Sequence, residues 1–379
     1  MNTIHYVGVD DAELQLFESQ YAVPDGMCYN SYLVEGEQIA IMDSVDTRKT
    51  DEWLYNIQQA LRDRKPSYLV IQHMEPDHSG SVNAFIHKYP QTTIICSAKA
   101  QVMLAQFGIT PPAVQVVKEN DILDLGGVTL RFIMAPMIHW PEVMMTYCVQ
   151  EKVLFSADAF GKFGVYHPDE DDWACEARRY YFNICGKYGA PVSIVLKKVS
   201  AFTIEAICPL HGPVLEGERL QEAIRLYTIW SSYEPETDGV LVAHASIHGH
   251  TAQAAEKIAE MLRTKGCKKV AITDLCRDDM AEAIEDAFRM SKMVVCASSY
   301  DNNVFPPMHM FLWKLQQKGY QSRTVAIVEN GSWAPSAGRE MRALLETMKN
   351  ITIIEPIVTI RSSLSQDNYT QLETLTNLL

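Results

Sequence analysis

The sequence has no C-x-x-C pair, although it contains nine cysteines. Such pairs supply the thiolate ligands of zinc ribbons and of rubredoxin-type iron sites, so neither kind of site is expected. The odd number and scattered positions of the cysteines also argue against a disulfide framework. We therefore expect most of them to be reduced thiols packed in the interior.

A long apolar segment is also missing. No run approaches the roughly 18 apolar residues that a membrane-spanning helix needs. Residues 1–20 include acidic side chains and have no basic segment leading into an apolar stretch, unlike a signal or transit peptide. We expect a cytoplasmic protein that has no membrane partner.

Positive charge is scarce: 33 lysines and arginines stand against 47 aspartates and glutamates, a formal net charge of -14. Nucleic-acid binding relies on clustered basic side chains, so a nucleic-acid partner is not expected.

The hydrophobic content of 47% is ordinary for a globular protein. A chain of 379 residues exceeds the size at which one core usually stops growing, which predicts two domains.

A polar, acidic stretch at residues 232–239 follows a helical apolar pattern at 220–230 and predicts a domain boundary, giving domains 1–235 and 236–379. In the second domain, short apolar runs at 240–245, 270–274, 293–297 and 324–328 alternate with segments of helical periodicity. This pattern predicts an α/β fold, a doubly wound parallel sheet of five βα units. The first domain has more strands and fewer helices, which predicts mixed sheets packed in layers with helices outside.

The run His73-Met-Glu75-Pro-Asp77-His78 directly follows the apolar strand pattern at 68–72. Loops at strand ends are where rigid scaffolds hold functional groups. If this loop is extended, alternation directs His73, Glu75 and Asp77 toward one side. The run therefore predicts part of a metal site.

Three more candidate ligands, His139, Asp158 and His211, each end an apolar run. A single histidine or aspartate at a strand end usually caps the strand or faces solvent, but this many together favour a metal site. Four other histidines lack such neighbours and are given no role: His5, His87, His167 and His309. Nitrogen and carboxylate ligands without thiolate suit zinc, manganese or non-haem iron, and bridging carboxylates favour iron.

Three loops of the second domain predict a phosphate and cofactor site at the carboxyl ends of its strands. The first opens a helix expected near Ala252 and offers backbone N–H groups to a phosphate; its candidate residues are Ser246, His248, Gly249, His250 and Thr251. The other two loops contribute Ser298, Tyr300, Asn302 and Asn303, and then Ser332, Trp333, Ala334, Ser336 and Ala337. A helix cap alone would also explain the first loop, and His244, His248 and His250 would also suit a metal cluster. A metal beside a phosphate loop is the weaker interpretation.

The pattern H-x-E-x-D-H, the words His139-Trp-Pro141 and 155–161, and the late His211-Gly resemble the metallo-β-lactamase-like domain of flavodiiron proteins. Hydrolases of that superfamily more often have His where this chain has Glu75. The resemblance implies that His73, Glu75 and His139 bind one iron, that Asp77 and His211 bind the other, and that Asp158 bridges both. His78 is a ligand in some members and turned away in others. Many members have Gln-His at Lys162-Phe163, a departure that would act on the substrate pocket.

The three loops of the second domain resemble the FMN site of flavodoxin: the first cradles the phosphate and the others flank the isoalloxazine ring. Tyr300 or Trp333 is suited to stack on the flavin, or else to pack on its own domain. The second loop reads Ala-Ser-Ser-Tyr at 297–300 instead of the usual Gly-Ser-Pro-Thr. The whole chain thus resembles a two-domain flavodiiron protein without a rubredoxin extension, a metallo-β-lactamase-like αβ/βα sandwich followed by a flavodoxin-like sheet.

This resemblance implies an oxidoreductase that reduces dioxygen to water, nitric oxide to nitrous oxide, or both, at two iron ions with electrons relayed through FMN. It further implies a head-to-tail homodimer or a homotetramer and a separate electron donor such as rubredoxin or reduced deazaflavin. Two alternatives remain: a two-zinc hydrolase fused to a flavodoxin-like domain, and an electron carrier or redox sensor with a vestigial metal site. The sequence leaves open the preferred gas, the donor, the number of subunits and whether His78 binds iron.

Overall fold

The computed structural model describes residues 2–167 and 173–379. Contacts between residues divide the chain into two compact units. The first comprises Met1–Ile184 and Ala190–Thr228, and the second comprises Cys185–Gly189 and Ile229–Leu379. The domain boundary expected between residues 235 and 236 stays a prediction.

Two six-stranded sheets form the first unit. In spatial order, the strands of the first sheet are Ile4–Tyr6, Tyr32–Glu35, Ile39–Met42, Tyr68–Ile71, Thr93–Ser97 and Val114–Val117. Those of the second sheet are Ile122–Asp124, Thr129–Met134, Met144–Cys148, Val153–Phe155, Ala206–Cys208 and Leu215–Glu216. Each sheet contains both parallel and antiparallel pairs, as the sequence predicts. Two small hairpin-like pairs lie apart from them, Val9–Asp11 with Met27–Tyr29 and Leu16–Phe17 with Tyr21–Ala22.

The apolar core of the first unit lies between its two sheets. Val70 and Ile95 of the first sheet and Phe132, Met144 and Phe155 of the second belong to one buried cluster. Alternation along each strand sends these side chains to the inner faces. Full burial of each large side chain contributes about 1.5–3 kcal/mol, so the layers are joined mainly by apolar contact.

Helices cover the outer faces of the two sheets, and the last of these helices extends past Thr228 into the second unit. Up to residue 232 they are Thr50–Leu61, Pro76–Ser79, Val82–Lys88, Ala98–Gln106, Trp173–Tyr180, Gly189–Val199 and Gly217–Ser232, with 3-10 turns at Thr47–Lys49 and Gly186–Tyr188 and a π-helical turn at Tyr181–Cys185. Trp53, Ile57 and Leu61 illustrate how they pack: a spacing of four residues places all three on the buried face of one helix.

The second unit is a parallel sheet with the spatial order Val270–Asp274, Thr237–Ala245, Met290–Tyr300, Thr324–Asn330 and a fifth strand in two pieces, Thr352–Ile353 and Val358–Ile360. Asn303–Val304 turns back antiparallel on the third strand. The helices are His250–Thr264, Met280–Arg289, Pro306–Gln317, Ala337–Glu346 and Gln366–Leu378. The predicted doubly wound parallel sheet is therefore confirmed.

Two local predictions about this sheet are wrong. The third strand continues to Tyr300, so Ser298 and Tyr300 lie at a strand end and not in a loop, because the returning pair Asn303–Val304 extends the ladder. The first helix begins at His250 and not near Ala252, because Gly249 supplies the left-handed turn before it, with φ of 90°. In the described part of the chain, no helix is long and apolar enough to cross a membrane.

Candidate metal centre and cofactor cavity

The seven predicted metal ligands converge in the first unit and form two adjoining groups. His73, Glu75, His139 and Asp158 make up the first group, and Asp77, His78 and His211 make up the second. Within each group the potential ligand atoms all lie within 4.8 Å of one another. Nearly all of these side chains are buried, and Glu75 is the most accessible.

The expectation of an extended loop from His73 to Asp77 is correct only as far as Glu75. Pro76 begins the short helix Pro76–Ser79, because proline suits the first helical position. The helical turn carries Asp77 into the second group, away from the group that contains His73 and Glu75. The six-residue run thus supplies side chains first to one candidate ligand group and then to the other.

The ligands come from both sheets. His73 follows Tyr68–Ile71 of the first sheet, whereas Asp158 follows Val153–Phe155 and His211 follows Ala206–Cys208 of the second. The last two strands are parallel neighbours, so their carboxyl ends meet at one edge. The backbone of the two sheets is also joined here, since Met144 N–H donates to the carbonyl of Gln72 at 3.1 Å.

Asp158 lies between the two groups. One carboxylate oxygen, Oδ2, is 3.2 Å from His73 Nε2 and 3.1 Å from His139 Nε2. The other, Oδ1, is 3.1 Å from His78 Nε2 and 3.8 Å from His211 Nε2. A carboxylate that presents one oxygen to each group is placed to bridge two metal ions.

The residues of this cluster fit bound cations better than they fit one another. Among the described residues, no hydrogen-bond partner exists for either carboxylate oxygen of Asp77 or of Asp158. Burying an unpaired carboxylate is costly unless a cation or a donor compensates it. The Nε2 atoms of His78 and His211 also approach to 3.0 Å. Converging lone pairs and unpaired oxygens are what a pair of metal ions would satisfy.

Two histidines are oriented by hydrogen bonds on the side away from the centre. His73 Nδ1 donates to Glu142 Oε1 at 2.8 Å, and His211 Nδ1 donates to the carbonyl of Cys28 at 2.7 Å. Each bond turns the Nε2 lone pair toward the cluster, as is usual for metal-binding histidines. Sequence reasoning missed Glu142 and Cys28. Only the position of Glu142, three residues after His139, could have suggested it.

Asp43 supports the strand end that carries His73. Its Oδ1 accepts the backbone N–H of Gln72 at 2.7 Å, and its Oδ2 accepts Gln72 Nε2 at 2.8 Å. Burial raises the pKa of Asp43 to about 6, although these hydrogen bonds with Gln72 oppose the shift. Asp43 was also missed, because no sequence pattern separates it from other strand-end aspartates.

The protein groups of the cluster strongly perturb one another when no cation is considered. Burial alone would lower the pKa of His73, but Asp158 and the hydrogen bond with Glu142 raise it well above its usual value. Burial likewise opposes protonation of His139, yet Asp158 and Glu75 raise its pKa to about 9. Burial would raise the pKa of Glu75, but His139 and His73 lower it. Such shifts are typical of functional sites.

A cavity of about 280 Å³ opens onto the cluster at Glu75 and Asp77. Its other lining residues are Leu14, Leu16, Phe17, Glu18, Ser19, Tyr29, Asp46, Arg48 and Pro76. Phe17 packs its ring edge against His211, with 5.5 Å between ring centres, and against Phe163 at 5.7 Å. Phe163 itself does not line the cavity. The departure from the family pattern at Lys162-Phe163 therefore acts on the cavity through the contact between Phe163 and Phe17.

A second cavity, of about 810 Å³, lies in the second unit at the carboxyl ends of its strands. Most predicted cofactor residues line it: Ser246, His248, His250, Thr251, Ser298, Tyr300, Asn302, Ser332, Trp333, Ala334 and Ser336. Gly249, Asn303 and Ala337 do not line it. Ile247, Ser299, Asp301, Asn330, Gly331 and Ser362 line it and were not predicted. Ser362 follows the split fifth strand, which sequence reasoning did not locate.

The loops around this cavity are held by hydroxyl groups. Ser299 Oγ accepts the backbone N–H groups of Ser336 at 2.8 Å and Ala337 at 3.1 Å. Thr251 and Ser298 are joined through their hydroxyls at 2.9 Å. The predicted residues that do not line the cavity, Gly249, Asn303 and Ala337, belong to the backbone that supports these loops. The carbonyl of Asn303, for example, accepts the Ser336 hydroxyl at 3.1 Å.

The larger cavity fits a ligand with an anionic end and a flat aromatic part. The amino end of the helix His250–Thr264 would offer an anion its unpaired backbone N–H groups and a favourable helix dipole. Trp333 is 89% exposed and Tyr300 is 46% exposed, so two aromatic faces are available for stacking. Among the residues that the structure describes, His244, His248 and His250 form no metal-ligand group, nor do His5, His87, His167 and His309.

The fold and these two sites define the class: a two-unit protein that joins a dinuclear metal site in a metallo-β-lactamase-like layer structure to a flavodoxin-like sheet. Residues 27–212 match the family model described as "ODP family beta lactamase". The chain is 30% identical over 356 residues to the anaerobic nitric oxide reductase flavorubredoxin of Vibrio vulnificus, covering 91% of this chain and 72% of that protein.

Solved structures agree with this relationship. The rubredoxin oxygen:oxidoreductase of Desulfovibrio gigas superposes with a TM-score of 0.93 at 26% identity, covering 100% of this chain and 96% of that one. The fold of the flavodiiron protein of Giardia intestinalis also matches, with a TM-score of 0.93 at 24% identity over 99% and 94% of the two chains. The chain belongs to the flavodiiron protein family.

Proposed function

We propose that this protein reduces dioxygen to water, nitric oxide to nitrous oxide, or both, at a non-haem diiron site, with electrons relayed through FMN. The observation that carries the proposal is the pair of ligand groups sharing Asp158, in a chain that also has a flavin-sized cavity. The names of two relatives support it, since one is a rubredoxin oxygen:oxidoreductase and the other an anaerobic nitric oxide reductase flavorubredoxin.

The ligand geometry supports a specific assignment of the iron ligands. His73, Glu75 and His139 would hold one iron, Asp77 and His211 would hold the other, and Asp158 would be shared between them. We also assign His78 to the second iron. Its Nε2 lies 3.2 Å from Asp77 Oδ2 and 3.1 Å from Asp158 Oδ1, so it points into the cluster. Such a set of nitrogen and carboxylate ligands suits iron that changes oxidation state.

The chain's own residues bind and shield the reacting gas. Leu14, Leu16 and Phe17 give the smaller cavity an apolar wall, which suits an uncharged diatomic molecule. Iron, when bound, supplies electrons to that molecule, and reduced FMN supplies the remainder. Both reductions also consume protons. Tyr29 lines the cavity and its hydroxyl oxygen accepts Arg48 Nη2 at 2.9 Å, so its hydroxyl hydrogen remains available as a donor.

In the larger cavity, the loop Ser246 to Thr251 would hold the FMN phosphate, with Gly249 shaping the turn. Trp333 and Tyr300 would be the residues to stack on the isoalloxazine ring. The polar residues between them orient the rest of the molecule: Ser298, Asn302, Ser332 and Ser336, with Asn303, Ala334 and Ala337 forming the adjoining backbone. Bound flavin would cover Trp333, the most exposed of the large apolar side chains in the described residues.

Electrons reach the flavin from a separate protein or cofactor, such as rubredoxin or a reduced deazaflavin. The absence of any C-x-x-C pair supports this part of the proposal. We further propose a cytoplasmic head-to-tail homodimer or homotetramer, by analogy with the family. Sedimentation analysis tests the assembly, because an active monomer would contradict it.

The test of the function uses one preparation of the full chain. Metal analysis by mass spectrometry and an absorbance spectrum should show two irons and one flavin per chain. After anaerobic reduction, the protein should consume dioxygen, nitric oxide or both, which also excludes a vestigial metal site. Zinc alone without flavin would instead support the rival hydrolase, in which a two-zinc site activates water.

A further inference from the structure

The two ligand groups differ in what stands behind their histidines. In the first group, His73 Nδ1 donates to the carboxylate of Glu142 at 2.8 Å. In the second group, His211 Nδ1 donates to a neutral backbone carbonyl, that of Cys28. His78 Nδ1 has no hydrogen-bond partner among the described residues. Among the described residues, only the first group therefore has a candidate ligand whose imidazole donates to a carboxylate.

The carboxylate of Glu142 is isolated from solvent, and no lysine or arginine among the described residues forms an ion pair with it. The side chains of Glu142 and His73 are both 0% exposed. Glu142 Oε1 also accepts the backbone N–H of Met74 at 2.9 Å, whereas Oε2 has no partner in the described part of the chain. Its negative charge is thus weakly screened and acts on the neighbouring site.

The surroundings of the second group contrast with this. Tyr29 packs its ring against His211 and His78, with ring centres 6.0 and 6.5 Å apart, and Phe17 packs against His211 at 5.5 Å. These two neighbours are uncharged at neutral pH. The buried carboxylate of Asp43 also acts on His78, but its hydrogen bonds are to Gln72 and to the backbone N–H of His73, and not to a ring of the second group.

We propose that Glu142 is a positioning residue that makes the two iron sites electrically unequal, so that the iron held by His73, Glu75 and His139 has the lower reduction potential. This inference rests on the proposed diiron function. A negative charge favours Fe(III) over Fe(II), and an imidazole that donates to a carboxylate is a more basic ligand. The half-reaction is Fe(III) plus one electron giving Fe(II), and no bond or proton changes at Glu142.

The direction of electron flow follows from this inequality. An iron bound in the second group would be the easier of the two to reduce, and an iron bound next to Glu142 would be the easier to oxidise. The half-reduced form of the loaded protein would then have Fe(III) predominantly at the first position and Fe(II) at the second.

The test is a potentiometric titration of the iron-loaded, flavin-containing protein followed by electron paramagnetic resonance, which detects the half-reduced form. Glu142→Gln keeps the shape and an acceptor for His73 but removes the charge. We expect the lower of the two iron potentials to rise by about 59 mV, which corresponds to a tenfold fall in the Fe(III)/Fe(II) ratio. The maximum amount of the half-reduced form should fall, because the potentials come closer together.

A matched control is available in the same unit. Glu35 Oε2 lies 3.1 Å from His5 Nε2, but this glutamate–histidine pair is partly exposed and its histidine is not in either ligand group. Glu35→Gln should leave both potentials and the half-reduced signal unchanged. A Glu142→Gln protein whose two potentials are unchanged, or shift equally, overturns the inference.

A second variant covers the case in which Glu142→Gln loads fewer than two irons. Glu142→Asp keeps the charge but withdraws it by one methylene, so the separation of the potentials should lie below the wild-type value. A separation equal to or above that value overturns the inference. Failure of the proposed function would look different: the wild-type protein would lack iron or flavin, or would consume neither gas.

Discussion

The carboxylate of Glu75 and the imidazole of His139 meet at 2.9 Å, Oε2 to Nε2, across 64 residues of chain. His73 Nε2 lies 3.3 Å from the same oxygen. Glu75 thus brings a negative charge to a position where two imidazoles already converge. Glu75 occupies the position at which hydrolases with the resembling pattern more often have histidine.

Replacing Glu75 with histidine should impair gas reduction far more than folding. The new side chain removes a charge that stabilises Fe(III) and shifts the site toward ligands that zinc accepts. We expect the rate of dioxygen or nitric oxide consumption to fall by more than about tenfold, with an unchanged circular dichroism spectrum. Glu52→His, on the exposed face of Thr50–Leu61, serves as the control. An unaffected rate would count against Glu75 as a ligand.

Replacing Asp158 with asparagine should disturb both metal positions together. Asp158 is the one carboxylate that lies within 4 Å of histidines from both groups among the described pairs, so its loss affects each iron. We expect iron content to fall from two per chain to less than one, measured by mass spectrometry after gel filtration. Asp51→Asn, a change on the surface of the same unit, should retain both irons. Two tightly held irons in the Asp158 variant would show that it does not bridge.

The exposed ring of Trp333 should be covered when FMN binds. We expect flavin to quench Trp333 fluorescence, and Trp333→Ala to weaken FMN binding about 2- to 10-fold, since an aromatic pair contributes about 0.5–1.5 kcal/mol. Titration of flavin-free protein with FMN measures both effects. Trp313→Ala, a half-exposed tryptophan outside the cavity, is the control. Equal affinities of the two variants would place the ring away from Trp333.

Ser299 should be needed for the shape of the loop that carries Trp333. Its hydroxyl accepts two backbone N–H groups, from Ser336 and Ala337, so Ser299→Ala leaves both without that acceptor. We expect a loss of about 1–3 kcal/mol in unfolding free energy and weaker FMN binding. Urea denaturation and flavin titration measure these. Ser363→Ala, at an exposed position, should change neither, and a fully stable Ser299 variant would refute the role.

The second unit should lose stability in mild acid through His244. Burial lowers the pKa of His244, although Asp274, Asp278 and Glu256 oppose the shift. Below the ordinary value of about 6.5, the unfolded chain therefore binds a proton that the folded chain does not, and stability falls as pH falls. His244→Gln should show a smaller loss between pH 7 and 5 in urea titrations. His309→Gln, an exposed histidine, should behave as wild type.

Much of the fold and of the site was predictable because the sequence patterns that indicate them involve residues close together in the chain. Strand ends occupied by His73, Asp158 and His211 are visible in sequence, and so are the alternating strands and helices of the second unit. The placement of Asp77 was not, because a proline after Glu75 permits either an extended loop or a helical turn. The structure decides for the helix.

The missed residues share a different cause. Asp43 and Glu142 support the candidate ligands by hydrogen bonds on the side away from the metal centre. Their hydrogen-bond partners are 29 to 69 residues away in sequence. Nothing local separates such a carboxylate from one on the surface. Ser362 was missed because the fifth strand is split into two pieces of two and three residues, too short for an alternating pattern to be recognised.

The origin of the ligands in both sheets has a consequence for the lifetime of the protein. His73 follows a strand of one sheet, and Asp158 and His211 follow strands of the other, so iron bound by all three would link the two sheets. Metal-binding free energy then adds to the energy that holds the layers shut. Iron starvation would remove the redox centre. It would also make the two sheets easier to separate, and the chain easier for a protease to cleave.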